Sequence, residues 1–128
     1  MSLRELGKTN FYGHVLDVGK FAETCTFYPA DGGEPRVIVA KINHERRGKS
    51  QPHVEGEEER LRVAVGRDAA HAKGGIATPV IGDALVREGE TELVRYAWTG
   101  EIENQTSYSW TLIYTRPRGR RVVDARRG

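Results

Sequence analysis

Four histidines, one cysteine and a run of acids are the side chains in this sequence best suited to holding a metal or moving a proton. The histidines are His14, His44, His53 and His71, and no two of them stand in an HxH or HExxH spacing. A metal needs ligands converging from a fixed frame, and this scatter argues against one. Glu55, Glu57, Glu58 and Glu59 could supply a carboxylate for acid–base work, but such a run reads more simply as the solvated entry to a strand. Cys25 lies in an extended run, and no serine stands in a GxSxG elbow. Gly74-Gly75 lacks the lysine and hydroxyl residue of a phosphate loop. The sequence argues against an enzyme, and no cofactor is expected.

What remains is charge. From Arg116 to Gly128 there are six arginines (Arg116, Arg118, Arg120, Arg121, Arg126, Arg127) against one acid, Asp124. The rest of the chain then holds 14 basic and 17 acidic residues, a body of net −3. A slightly acidic body with a basic terminal segment is unlike a generally basic nucleic-acid-binding domain. The basic segment is suited to phosphate or to an acidic partner, ordering on contact. Val122 and Val123, set between arginine pairs, give it an apolar anchor that favours a protein groove over bare phosphate. A second basic cluster, Arg46, Arg47 and Lys49, lies in the polar stretch His44 to Gly56. Thirteen residues without periodicity are unusual inside a compact domain and go with function or disorder.

The elements that must position these groups are mostly strands. Pro79 to Arg118 organises the chain: a Gly82-Asp83 corner, Ala84-Leu85-Val86, a Gly89-Glu90 turn, and Leu93 to Trp98. A polar loop at 103–107 follows, and then Tyr108 to Tyr114. In that last run Tyr108, Trp110, Leu112 and Tyr114 alternate with Ser109, Thr111 and Ile113, the period of a strand. Glu23–Tyr28 and Arg36–Asn43 pair as a hairpin through Asp31-Gly32-Gly33. Glu57–Val65 alternates as a half-buried strand, and Asp68–Gly75 reads as a short helix. The expected fold is mainly β: a small antiparallel barrel of about six strands, with one short helix, a long loop and extended termini. Residues 1–23 form an arm or docking segment in which Ser2 to Leu6 could make one helical turn before Gly7. Residues 24–118 form the barrel, and 119–128 the basic terminal segment. Phe11 and Phe21 in the arm are apolar enough to meet a partner.

At 128 residues one domain with one core is expected. No apolar run approaches the roughly 20 residues that cross a bilayer, so no membrane contact is expected. The start, MSLRELGKTN, has no apolar stretch of the signal-peptide kind. A single cysteine leaves no internal disulfide and suggests a reducing compartment.

The order of these parts resembles the head–tail joining (stopper or head-completion) proteins of long-tailed phages of the lambda type. The residues that carry the likeness are Val54-Glu55-Gly56, Gly82-Asp83-Ala84-Leu85, Tyr96-Ala97-Trp98, Ser109-Trp110-Thr111-Leu112 and the basic segment from Arg116. It spans roughly residues 24 to 127. The resemblance implies a structural virion protein of the neck, a homo-oligomeric ring, most simply of six copies, made in the host cytoplasm. Its partners would be the portal or adaptor protein on one side and the tail terminator or tail tube protein on the other. Arg46, Arg47 and Lys49 would face the channel and touch packaged DNA without sequence preference. Arg118, Arg120, Arg121, Val122, Val123, Arg126 and Arg127, with Phe11 and Phe21, would make ring and partner contacts. A tail-tube or tail-terminator protein would share the same barrel. A third reading is a single-stranded nucleic-acid-binding barrel that stacks bases on Tyr96, Trp98, Tyr108, Trp110 and Tyr114. Core packing is the simpler role for those five, because the basic residues lie elsewhere in the sequence.

Overall fold

A computed structural model describes residues 3–44, 58–90 and 95–117. Its six strands are β1 (Glu23–Tyr28), β2 (Arg36–His44), β3 (Glu58–Gly66), β4 (Ala84–Arg87), β5 (Tyr96–Gln105) and β6 (Ser109–Pro117). They close into an antiparallel barrel in the order β1-β2-β3-β6-β5-β4. Alternation decides what goes inside. Cys25 and Phe27 of β1, Ile38 and Ala40 of β2, and Leu61, Val63 and Val65 of β3 fill one half of the interior. Leu85 of β4, Tyr96 of β5, and Trp110, Leu112 and Tyr114 of β6 fill the other. The row Trp110, Leu112 and Tyr114 read from β6 thus packs the barrel, and Ile113 on the opposite face is buried as well.

The β1–β2 hairpin forms as expected, with Cys25 opposite Ile38. The corner before β4 is a tight turn in which the Asp83 amide bonds the Val80 carbonyl at 2.9 Å. Gly82 takes φ 107° there, a conformation that only glycine adopts cheaply. Asp83 itself is buried, and its two carboxylate oxygens accept the amides of Ala30 and Val80, each at 2.8 Å. It ties the β1–β2 loop to the corner.

Three local expectations change. The short helix lies at Leu3–Asn10 (α1), not at 68–75. Between 68 and 74 the chain makes successive turns, because side chains take the amides a helix would use. Asp68 Oδ1 accepts from Ala70 at 3.0 Å, and His71 Nδ1 from Lys73 at 3.0 Å. Second, 103–105 belong to β5, which runs to Gln105 and turns back through Thr106–Tyr108. Polarity misled there because β5 is exposed beyond Trp98. Arg60 and Arg62 of β3 reach across β6 to Glu101 and Glu103 at 3.1 and 2.7 Å. Third, β5 begins at Tyr96; Leu93 and Val94 lie outside the described residues.

Residues 3–22 dock on their own barrel. After α1, Phe11–Val15 form a π-helical turn, with the Leu16 amide bonding the Phe11 carbonyl. Phe11, Tyr12 and Leu16 pack with Ala22, Val39, Ala64 and Tyr108 as a second core outside the sheet. Lys73 Nζ donates to the carbonyls of Tyr12 and Leu16 at 2.6 and 2.7 Å, and the Tyr12 ring stacks on His71 at 3.7 Å. Gly66 makes this approach possible, since a Cβ there would collide with the Tyr12 ring. We expect Gly66→Ala to release residues 3–16 at a cost of about 1–3 kcal/mol. Limited proteolysis would then cut near Phe11 and Tyr12 while the barrel survives; an unchanged digestion pattern would contradict this packing.

Candidate functional site

The sites expected from sequence are ring and partner contacts, and most lie outside the described residues. That holds for Arg46, Arg47 and Lys49, and for Arg118, Arg120, Arg121, Val122, Val123, Arg126 and Arg127. Phe11 is 8% exposed, spent on its own barrel, which leaves it little surface for a partner. Phe21 is 59% exposed, with Lys41 Nζ 5.7 Å from its ring centre.

The topology brings the flanks of these segments together. His44 and Glu58 border residues 45–57, and Pro117 precedes 118–128. The Leu61–His44 and Glu58–Pro117 pairings place all three at one end of the barrel, with Arg87 and Tyr96. We call this end the base. Each strand places one polar group there, one inward position beyond its apolar row. Glu23 precedes Cys25, His44 follows Ile42, Glu59 precedes Leu61, Arg87 follows Leu85 and Arg116 follows Tyr114, while β5 opens on Tyr96. Sequence reasoning missed this, although the signal was present: each alternation, continued by two residues, ends on a polar or ionisable residue.

These groups form one connected network. Arg87 holds Glu23 through two bonds, Nε to Oε2 at 3.0 Å and Nη2 to Oε1 at 2.8 Å. Such forked contacts outlast ordinary surface pairs. Arg87 Nη1 also lies 3.4 Å from His44 Nε2, and His44 Nδ1 lies 3.7 Å from Glu59 Oε2. Arg116 Nε donates to Glu59 at 3.1 Å, and its Nη1 and Nη2 reach Glu90 at 3.0 and 3.3 Å. The Arg116 guanidinium lies 4.2 Å from the centre of the Tyr96 ring, a cation over an aromatic face. The base is thereby sealed by charge laid over the apolar core.

Its chemistry is that of held charges. Burial opposes ionisation of Glu59, but the hydrogen bond and charge of Arg116 outweigh it and lower the carboxyl below its usual range. Burial pushes the Tyr96 phenol up to about 12, and the Glu59 charge adds to the rise. The Cys25 thiol is also pushed up to about 12, chiefly by burial, so it stays protonated at neutral pH. Among the described residues the buried Tyr96 and Tyr114 hydroxyls find no hydrogen-bond partner. Among the described residues no group of three or more His, Cys, Asp or Glu side chains could hold a metal ion. No described helix is long and apolar enough to cross a membrane.

The lowered Glu59 has a sign that can be tested. The folded chain keeps this carboxylate ionised where the unfolded chain, titrating near about 4.3, already binds a proton. Its contribution is present above that value and is lost as pH falls through the folded one. We expect Glu59→Gln to flatten the acid limb of the melting temperature against pH below about pH 4.5. An acid limb identical to that of the wild type would contradict the Arg116–Glu59 assignment.

Three of the five aromatic residues considered for base stacking lie inside the barrel: Tyr96, Trp110 and Tyr114 are core residues. Trp98 is partly buried against that core and donates its indole N–H to the Glu101 carbonyl at 3.0 Å. Tyr108 is partly buried against the docked N-terminal segment. Together these facts define the class as a closed six-strand antiparallel barrel with a polar base. No family model matches the chain, and no curated protein matches it.

Proposed function

We propose that this chain is a structural virion protein of a long-tailed phage neck, forming a ring, most simply of six copies, that joins the DNA-filled head to the tail. The observation that carries the reading is the common origin of the two segments that hold the basic clusters. Residues 45–57, with Arg46, Arg47 and Lys49, and residues 118–128 are both attached at the charge-sealed base. A barrel that presents two segments with basic clusters from one end is suited to assembly rather than turnover. It spends its aromatic residues on packing, so the two segments are the parts proposed to meet neighbours. A ring of identical copies needs heterologous contacts that close by rotation. The portal or adaptor protein and the tail terminator or tail tube protein are the proposed partners, with non-specific DNA contact through the 45–57 segment. The place of action is the virion neck, after assembly in the host cytoplasm. The burial of Tyr96, Trp110 and Tyr114 gives no support to a base-stacking barrel.

Deleting residues 119–128 tests the reading. The truncated chain should keep the far-ultraviolet spectrum and melting temperature of the barrel and fail to make heads competent for tails. Full joining activity by a folded truncation would refute the role given to that segment.

A further inference from the structure

The end of the barrel opposite the base carries a cleft of about 410 Å³. Phe27 and Ile76 line it with Pro29, Ala30 and Val80. Val80 is half exposed and Ile81 beside it more so, which extends the apolar wall outward as a lip. Asp83 also lines the cleft, but its oxygens are taken by the Ala30 and Val80 amides, so it is not a free ligand for an ion. Asp31 lines the cleft, and Glu34 is a second exposed acid on the same β1–β2 loop. Arg36 lies with its guanidinium 4.9 Å from the Phe27 ring centre. An apolar hollow beneath a loop with two exposed acids, of which Asp31 also accepts the Gly33 amide at 2.8 Å through Oδ1, fits a small aliphatic pair carried between cations.

We propose that this cleft receives Val122 and Val123 from residues 118–128 of a second copy of the chain. In that segment, RGRRVVDARRG, the two valines follow Arg120-Arg121 and precede Arg126-Arg127, which places positive charge on both sides of an apolar pair. Reach and polarity favour a neighbour over the same chain. The segment starts at the base, and its valines lie five and six residues beyond Pro117, at most about 18–22 Å of fully extended chain. The six residues of β1 cover a similar length from base to cleft, which leaves no slack for a chain that must also bend round the barrel wall. The base of a neighbouring copy can approach the cleft directly. Donor segment at one end and acceptor cleft at the other make a heterologous contact of the kind that builds rings. This inference rests on the ring reading and supplies its contact between subunits.

Two full-length variants test it by sedimentation velocity. Ala77→Arg places a bulky cation in the cleft at an exposed position, and Val122→Asp with Val123→Asp destroys the donor. The wild-type chain should gain mass with concentration. Each variant alone should remain at the 14.3 kDa single-chain mass at tenfold higher concentration. Mixed one to one, they should form a two-chain species and nothing larger, because one intact cleft then meets one intact donor. Ala69→Arg, a second exposed position in the cleft, should repeat the result if Ala77→Arg misfolds. Wild-type chain at single-chain mass throughout, donor variants that still associate, or a mixture without the two-chain species would each overturn the proposal. A chain that associates in this way yet leaves phage heads untouched would instead count against the neck reading.

Discussion

Trp110→Ala is expected to destabilise the barrel by about 3–5 kcal/mol, the cost of emptying a large aromatic site in a packed core. The indole is held in three ways. Its ring is buried among the inward rows of the strands, the Arg67 guanidinium lies 4.1 Å from its centre, and its N–H donates to the Ile76 carbonyl at 2.7 Å. Arg67 is fixed in turn by its bond to the Thr106 carbonyl at 2.6 Å. Removing the indole therefore leaves a cavity and a buried carbonyl without its donor. Trp110→Phe separates the two effects: it keeps most of the apolar volume and should cost about 1–2 kcal/mol, close to the value of the lost hydrogen bond. Chemical denaturation of both variants checks the ordering. Equal losses would mean that the bond to Ile76, rather than packing, dominates at this end of the barrel.

Asp83→Ala is the second large effect, expected at about 2–4 kcal/mol. Each oxygen of this buried carboxylate accepts a backbone amide from a different loop, so the alanine variant strands two donors at once. Asp83→Asn should recover part of the loss, because an amide oxygen can accept one of the bonds while its NH2 faces the other donor. The β1–β2 loop and the corner before β4 should then exchange their amide hydrogens faster, Ala30 and Val80 first. Unchanged exchange at those two amides in Asp83→Ala would contradict the clamp.

Much of the barrel was legible because its strands bury one face and turn at punctuated positions. The rows 61-63-65 and 110-112-114 are apolar on alternate residues, and Asp31-Gly32-Gly33 closes the first hairpin. The outer half of β5 was hidden because its partners are charged residues reaching from β3 across β6, a pairing no local pattern encodes. The helix at α1 continues through Gly7, which lets the segment close on Tyr108 where a side chain would crowd the phenol. Tertiary packing there outweighs the weak propensity of LRELGKTN. The 68–75 helix failed for the opposite reason: Asp68 and His71 satisfy nearby amides themselves. The charged network at the base is non-local, joining residues up to 64 apart, and only its parity was written in the sequence.

Co-sedimentation of the purified chain with tailless phage heads, followed by counting the copies retained per head and the heads that then accept tails, tests the neck assignment most directly. The assignment predicts six copies per head, retained only when the portal-side ring is present, and heads that become competent for tails. Heads that retain none of the chain, together with salt-sensitive binding of single-stranded oligonucleotides that quenches tryptophan fluorescence, would contradict it.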